Sequence, residues 1–219
     1  MKVISIFGGT GFIGTELIKQ LTKMPYKIRL FTRNKEKLNN LELNSQVKLI
    51  KLSSENNLAI DLRGTDIIIN LVGILHESRN IKFSTVHEIF VNKVIKSAIK
   101  QKIKRVVHIS ALGVSQDSSS KYLYSKFKSE SIIKNKFNDY DWTIFRPSIV
   151  FGPHDKFINL FKVMIKFLPI IFLISPKAEF QPIHIDDFVY ILIKSIKDKK
   201  TFKKTFNIGG PKKFTFLEI

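Results

Sequence analysis

Tyr122 and Lys126 stand four residues apart in Tyr122-Leu123-Tyr124-Ser125-Lys126, a spacing that sets both side chains on one face of a helix. An ammonium beside a phenol favours the phenolate, and the phenol can then give or take a proton at a carbonyl or alcohol carbon. The lysine of such a pair can also hold the ribose of a nicotinamide nucleotide. Tyr124 competes for the role of the phenol, and Y-x-x-x-K is a common pattern, so the pair carries no function alone.

A second group of residues could hold an anion. Gly8, Gly11 and Gly14 form G-x-x-G-x-x-G, with Gly9 extra. Gly8 would let the chain turn tightly, Gly11 would let backbone approach a diphosphate, and Gly14 would let a helix pack closely on a sheet. Glycine triplets also occur in plain structural turns. The context favours a dinucleotide: Val3-Ile4-Ser5-Ile6-Phe7 reads as a buried strand, and Thr15 to Leu21 continues with helical spacing. The start of that helix would offer unpaired N–H groups and a partial positive charge.

Arg33 bears on which dinucleotide. The second strand, Lys27 to Thr32, ends in Thr32-Arg33-Asn34-Lys35, where an NAD-preferring site would place a carboxylate on the ribose hydroxyls. A guanidinium suits a 2′-phosphate, so NADP(H) is favoured and NAD(H) is the alternative.

These residues need a frame, and the rest of the chain supplies it. Val47–Leu52, Asp66–Gly73 and Arg105–Ser110 read as further strands, and Leu58–Leu62 as a short helix closing at Gly64. Asn70 and Gly73 fall at a strand end, where their backbone would neighbour the ribose. The spacing of Val86, Phe90, Val94, Ile95 and Ile99 predicts one amphipathic helix over Phe83–Lys102. His87 and His108 read as packing residues. Ser115–Ser120 supplies N-cap candidates for the helix bearing Tyr122 and Lys126. Asp186 reads as an N-cap of a later helix, with His184 and Asp187 structural.

Composition sets outer limits. At 219 residues the chain suits one α/β domain with a small appendage, and 44% hydrophobic residues are ample for a core. The absence of cysteine excludes disulfides, cysteine-ligated zinc and a cysteine nucleophile; no metal site is read. No signal peptide is visible, and a cytoplasmic location is expected. The formal net charge of +19 invites a polyanion partner. The lysines are spread over nearly every segment without a nucleic-acid-binding motif, so a solvated surface is the main reading and weak attraction to acidic lipid the alternative. Leu160–Ile174 is apolar but broken by Lys162, Lys166 and Pro169, too short to span a bilayer. It reads as covered surface, or as a lipid-touching patch.

Taken together, Gly8–Gly14, Tyr122 with Lys126, and Arg146-Pro147-Ser148-Ile149-Val150-Phe151-Gly152-Pro153 resemble the extended and atypical short-chain dehydrogenase/reductases. Within them the chain is most similar to the branch of the thirty-nine-kilodalton accessory subunit of respiratory complex I and its bacterial, epimerase/dehydratase-like relatives. VVHISALGV (106–114), YLYSKFKSE (122–130), TIFRPSIVFGP (143–153), FQPIHIDDF (180–188) and FNIGGPKKFTF (206–216) carry this resemblance. It implies an α/β, Rossmann-like doubly wound parallel sheet over 1–152, with 153–219 an incomplete C-terminal substrate lobe interleaved with the last sheet elements. It also implies a nucleotide held tightly, and a respiratory-chain or membrane-surface partner on the inner face of a membrane.

By the same resemblance Gly8, Thr10, Gly11, Phe12 and Ile13 would lie along the pyrophosphate, and Arg33 would meet the 2′-phosphate. Tyr122 and Lys126 would stand beside the nicotinamide ribose, and the Pro147-Ser148 backbone beside the carboxamide. Three departures follow. Ser53 replaces the acidic residue that usually holds the adenine amino group. Leu112 stands where active members place a substrate-binding hydroxyl, leaving Ser110 the nearest. The relatives continue well beyond Ile219, and Phe214–Ile219 reads as a first helical turn. The expected function is therefore an NADPH-holding accessory protein, with a Tyr/Lys oxidoreductase or epimerase and an NADP-binding redox-sensing regulator as alternatives.

Overall fold

The structure is a computed structural model that describes residues 1–33, 45–52, 57–155, 178–215 and 218. Ser53 and the apolar Leu160–Ile174 stretch lie outside the described residues.

Seven strands form one sheet in the order β10-β6-β5-β4-β1-β2-β3. They are β1 (Lys2–Phe7), β2 (Tyr26–Thr32), β3 (Val47–Lys51), β4 (Ile67–Asn70), β5 (Arg105–Ile109), β6 (Asp141–Pro147) and β10 (Lys204–Ile208), and every pairing is parallel. A parallel sheet is stable when both faces are covered, which is why its strands are apolar runs rather than alternations. The period of two divides those runs between two cores. Ile4, Ile6, Ile67, Ile69, Val107, Ile109 and Phe145 pack with α1 (Phe12–Leu21) and α5 (Ile185–Ser195). Phe7, Ile68, Val106, Trp142 and Ile144 pack with α2 (Leu58–Asp61), α3 (Phe90–Lys100) and α4 (Lys121–Lys136) on the other face.

The order reverses beside β1, whose neighbours are β2 and β4. At such a switch point the two flanking connections leave to opposite faces and open a crevice at the C-terminal strand ends.

Three boundaries differ from the sequence reading. The helix expected over Phe83–Lys102 opens as a π-helical stretch, Ser84–Ile89, before α3. Both Val86 and His87 of this stretch are turned into the interior. The α5 cap is His184, whose Nδ1 accepts from Asp186 N at 3.3 Å, so the expected cap Asp186 lies in the first turn. The helix starts earlier because Ile185, 4% exposed, is already part of the core. Phe214–Thr215 forms a strand, β11, paired antiparallel with β8 (Glu179–Phe180), so the expected helical turn does not open at Phe214; residues 216, 217 and 219 of that expectation lie outside the described residues. Beyond it, Glu218 accepts from Thr215 N at 2.7 Å and Thr215 Oγ1 at 2.8 Å, as in a capping box. Two further short strands, β7 (Val150–Phe151) and β9 (Ile183–His184), pair with each other. Among the described residues no helix is long and apolar enough to cross a membrane.

Candidate functional site

The glycine turn between β1 and α1 shows which glycines serve the protein and which serve a ligand. Gly8 has φ +77°, and a Cβ there would meet Leu71 and Val72 backbone at 2.9 Å. At Gly14 a Cβ would lie 2.4 Å from Gly9 Cα, so the fold itself demands a glycine. Gly11 is different: its φ is −86°, and a Cβ would meet only Gly8 O, at 3.3 Å. Among the described residues nothing else crowds Gly11.

Gly11 is also the N-cap of α1 and provides no side-chain cap. Gly11 N bonds back to Gly8 O at 3.1 Å, and Gly11 O accepts from Thr15 N at 2.9 Å. The N–H groups of Phe12 and Ile13 lie between, at the positive end of the helix dipole. Gly8, Thr10, Gly11 and Phe12 line one side of a cleft of about 1290 Å³; Ile13, expected from sequence along the pyrophosphate, is not among its lining residues. Thr32, Arg33, Gly73, Ile74, Val86, Phe90, Pro153, His154 and His184 also line it. Drug-sized pockets run to about 1,000 Å³. This one suits a longer ligand.

Arg33 is exposed on the cleft wall where β2 ends. Of the residues expected to hold the nucleotide, Gly8, Thr10, Gly11, Phe12, Arg33 and Gly73 meet at this one cleft. Asn70 does not reach it: the side chain is 2% exposed, with Nδ2 3.2 Å from His108 Nδ1 and Oδ1 accepting from Val72 N at 3.1 Å. Pro147 O accepts from Leu112 N at 3.0 Å, and Ser148 N donates to Ile208 O at 2.8 Å. These backbone groups are occupied within the fold.

Tyr122 and Lys126 do share a face of α4, and that face is turned inward. Lys126 is 4% exposed, and its Nζ donates to Ile109 O at 3.1 Å. Burial lowers its pKa to about 8, opposed by the nearby Glu130 carboxylate. The Tyr122 ring packs on Phe83 and edge-on to His87, with centroids 5.7 and 5.8 Å away. Burial raises the Tyr122 pKa. The expected phenolate is therefore disfavoured by desolvation.

The neighbours of Lys126 form a buried polar layer that spacing alone had not exposed. Ile74 N donates to His87 Nε2 at 3.2 Å, so His87 carries its proton on Nδ1, 2.7 Å from Ser125 Oγ; that hydroxyl donates to Tyr122 O at 2.7 Å. His108 repeats the arrangement, with Nδ1 facing Asn70 and Nε2 3.2 Å from Ser129 Oγ, which donates to Lys126 O at 2.7 Å. Burial, then the Lys126 charge, lower the His87 pKa to about 3 and hold His108 well below the usual histidine range. Both rings are neutral at pH 7, as a site already holding one ammonium requires.

Ser110 belongs to another part of this layer. Its Oγ donates to Glu130 Oε1 at 2.7 Å, and Glu130 is held by Arg146 Nε at 2.8 Å, Arg146 Nη2 at 2.7 Å and Lys134 at 3.1 Å. The hydroxyl proposed from sequence for a substrate oxygen is engaged with a buried carboxylate. Leu112, three residues beyond the end of β5, is 43% exposed.

The profile of the NAD(P)H-binding family matches residues 8–156. The chain belongs to that family. It is 29% identical, over 99% of its length, to the mitochondrial NADH dehydrogenase (ubiquinone) 1 alpha subcomplex subunit 9 of Arabidopsis thaliana, covering 56% of that protein. The Mus musculus subunit of the same name is also 29% identical over 99% of this chain, which covers 59% of it. The chain thus spans little more than half the length of these curated relatives. The crystal structure of UDP-glucuronic acid 4-epimerase from Bacillus cereus with NAD superposes with a TM-score of 0.85 at 22% identity, covering 99% of this chain and 80% of that one. That likeness establishes the Rossmann-like fold. The cleft fits the family's nicotinamide dinucleotide on its own terms: an uncapped helix end, an uncrowded glycine in front of it, and a cation at the end of β2.

Proposed function

We propose that this protein holds NADPH as an accessory component with little or no turnover, in association with a respiratory-chain assembly or quinone-linked membrane process. The N–H groups of Phe12 and Ile13 would hold the diphosphate beside Gly11, and Arg33 the 2′-phosphate. The ribose next to the nicotinamide would lie by Gly73, in front of Lys126. When bound, the dinucleotide supplies a hydride-exchanging nicotinamide ring.

The observation that carries the reading is the Ser110–Glu130 hydrogen bond of 2.7 Å. It leaves no free hydroxyl at the end of β5, where exposed Leu112 stands at the position that would carry a donor to a substrate oxygen. Tyr122 adds to this, because burial keeps its phenol protonated and so poorly prepared as a base. The likeness to complex I subunits supports the respiratory-chain association, which would make the protein peripheral on the inner face of a membrane.

The test is to purify the protein, identify any co-purifying nucleotide by mass, and assay NADPH oxidation with quinones, ketones and nucleotide sugars. Bound NADPH without turnover is the expected result. Steady turnover abolished by Tyr122→Phe would replace this reading with a Tyr/Lys oxidoreductase or epimerase. That second reading is favoured by one observation, the placing of Tyr122 and Lys126 on the same face of α4 behind the Gly73 wall of the cleft.

A further inference from the structure

A parallel sheet gathers the first residues of all its strands on one edge, opposite the cleft. Here that edge is built from lysine. Lys2 opens β1, Lys27 follows the first residue of β2, Lys104 directly precedes β5, and Lys204 opens β10. The chain returning from α3 adds Lys102, and the chain returning from α5 adds Lys197, Lys199, Lys200 and Lys203. All nine are exposed, and among the described residues none is ion-paired with a carboxylate.

The carboxylates on the same edge are Asp66, Asp139, Asp141 and Asp198. Three of them face the protein's own groups. Asp66 accepts from Val3 N at 2.7 Å, Asp198 from Lys200 N at 2.9 Å, and Asp141 lies across from the buried Arg105 guanidinium and stabilises its charge. The outward field is therefore that of the lysines.

A second observation is conformational. Lys102 and Lys203 have φ of 53° and 55°, the two non-glycine residues with positive φ among those described. This left-handed region costs a residue with a Cβ about 1 kcal/mol or more, and glycine relieves it. Both lysines sit in turns that lead into strands of this edge. The chain keeps a cation where glycine would be less strained.

We infer that this edge docks electrostatically on an anionic lipid bilayer and leaves the dinucleotide cleft facing away. Apart from exposed Arg63 and a half-buried Arg29 that donates to the Asp61 and Arg63 carbonyls, the cations of this edge are lysine, a hydrated point charge suited to diffuse attraction rather than to the defined phosphate or carboxylate that arginine's fork recognises. The edge presents strand starts and turns, without the helix or ribbon that enters a nucleic-acid groove. Its aromatics are engaged within the protein: Tyr26, under Lys197, is 4% exposed, Tyr140 is stacked on Phe137, and Phe202 lies against the Arg105 guanidinium. A depression of about 470 Å³ at its β1–β3 end is lined by Lys27, Arg29 and Lys48, with no carboxylate, and has room for a headgroup phosphate. The inference is independent of nucleotide binding and of turnover.

The experiment is co-sedimentation of the whole chain with vesicles of phosphatidylcholine, or with vesicles in which about a third of the lipid is phosphatidylglycerol. Binding to the anionic vesicles alone is expected, falling as salt rises through about 0.15 M. Joint Lys199→Gln, Lys200→Gln, Lys203→Gln and Lys204→Gln should weaken it by up to about 600-fold, since each lysine near such a surface is worth roughly five-fold. Equal charge removal at Lys82, Lys93, Lys96 and Lys121 should change it less than about three-fold, because those residues lie off this edge. Joint Lys102→Gly and Lys203→Gly should weaken binding while leaving Tm unchanged or higher, which separates docking from folding. The inference is overturned by absence of binding to anionic vesicles, by equal weakening in the two four-lysine sets, or by tighter binding to duplex DNA at the same salt.

Discussion

Lys126 Nζ lies directly behind Gly73: a Cβ built on Gly73 would stand 3.1 Å from it and 3.6 Å from His87 Nε2. The wall of the cleft is therefore one backbone thick at this point, with a buried ammonium on its far side. The ammonium is anchored to Ile109 O, so it can yield only by giving up that bond.

Gly73→Ala should accordingly destabilise the protein by about 1 to 2 kcal/mol, because the new methyl presses on the Lys126 ammonium, which its bond to Ile109 O holds in place. Lys126→Met also carries a cost, but it removes the atom that the new methyl meets. The double variant should be more stable than the sum of the two single effects, by about 0.5 kcal/mol or more. Urea unfolding of the four proteins measures this directly, and strict additivity would mean that the two groups do not touch.

The buried ammonium has a pH signature. Its folded pKa of about 8 lies below the unfolded lysine value, so between about 8 and 10.4 the unfolded chain binds more protons at this residue than the folded one. Stability from this group should rise with pH across that window. Other lysines and the shrinking net charge also act there, so the useful quantity is the difference from Lys126→Met. The gap between the two urea midpoints should shift in favour of the wild type from pH 7.5 to pH 9.5. A constant gap would place the folded pKa at its ordinary value.

His87 should act at the other end of the scale. With a folded pKa near 3 against about 6.5 unfolded, it contributes stability above pH 6.5 that is lost as pH falls toward 3. The neutral ring is required by its acceptor role toward Ile74 N. His87→Gln should cost stability at pH 7 but flatten the acid limb of Tm against pH. An unchanged slope would count against the assignment.

The sequence made the sheet and the glycine turn plain because both depend on local pattern: apolar runs of strand length, a glycine series, and helical spacing after it. The inward polar layer was harder to see. Its members Ser125, Lys126, Ser129 and Glu130 do recur at helical intervals, a signal that α4 hides a polar stripe. Their partners His87, Ser110, His108 and Arg146 come from three other elements, and only the fold brings them together. Tyr122 and Lys126 were visible as a pair, yet burial reverses the effect that the spacing alone suggested for the phenol. The cap on α5 was misplaced for a similar reason. Asp186 is a good cap by type, but burial of Ile185 starts the helix before it.

The glycine turn can be divided experimentally. Gly14→Ala should fold poorly, because its Cβ would lie 2.4 Å from Gly9 Cα with only backbone to displace. Gly11→Val should fold, with stability lowered by no more than a weak cap change, about 1 kcal/mol, since its backbone is extended and, among the described residues, meets only Gly8 O. It should nevertheless lose nucleotide, because the side chain would occupy the approach to the Phe12 and Ile13 N–H groups. Calorimetric titration with NADPH and NADH beside thermal unfolding distinguishes the two. Unchanged affinity in Gly11→Val would show that the uncrowded face of this glycine is not where the diphosphate lies.

Arg33 provides the test of cofactor choice. The guanidinium stands on the cleft wall at the end of β2, and among the described residues it has no ion-pair partner. A 2′-phosphate there would gain charge-assisted hydrogen bonds of about 1.5 to 3 kcal/mol, whereas a ribose hydroxyl would gain much less. Arg33→Ala should weaken NADPH binding by about 10- to 100-fold and leave NADH within about three-fold. Arg33→Lys should keep part of the preference, since it retains the charge but lacks the fork. Equal losses for both nucleotides in Arg33→Ala would instead put the guanidinium on a group common to the two, and the preference for NADP would then have no residue behind it at this strand end.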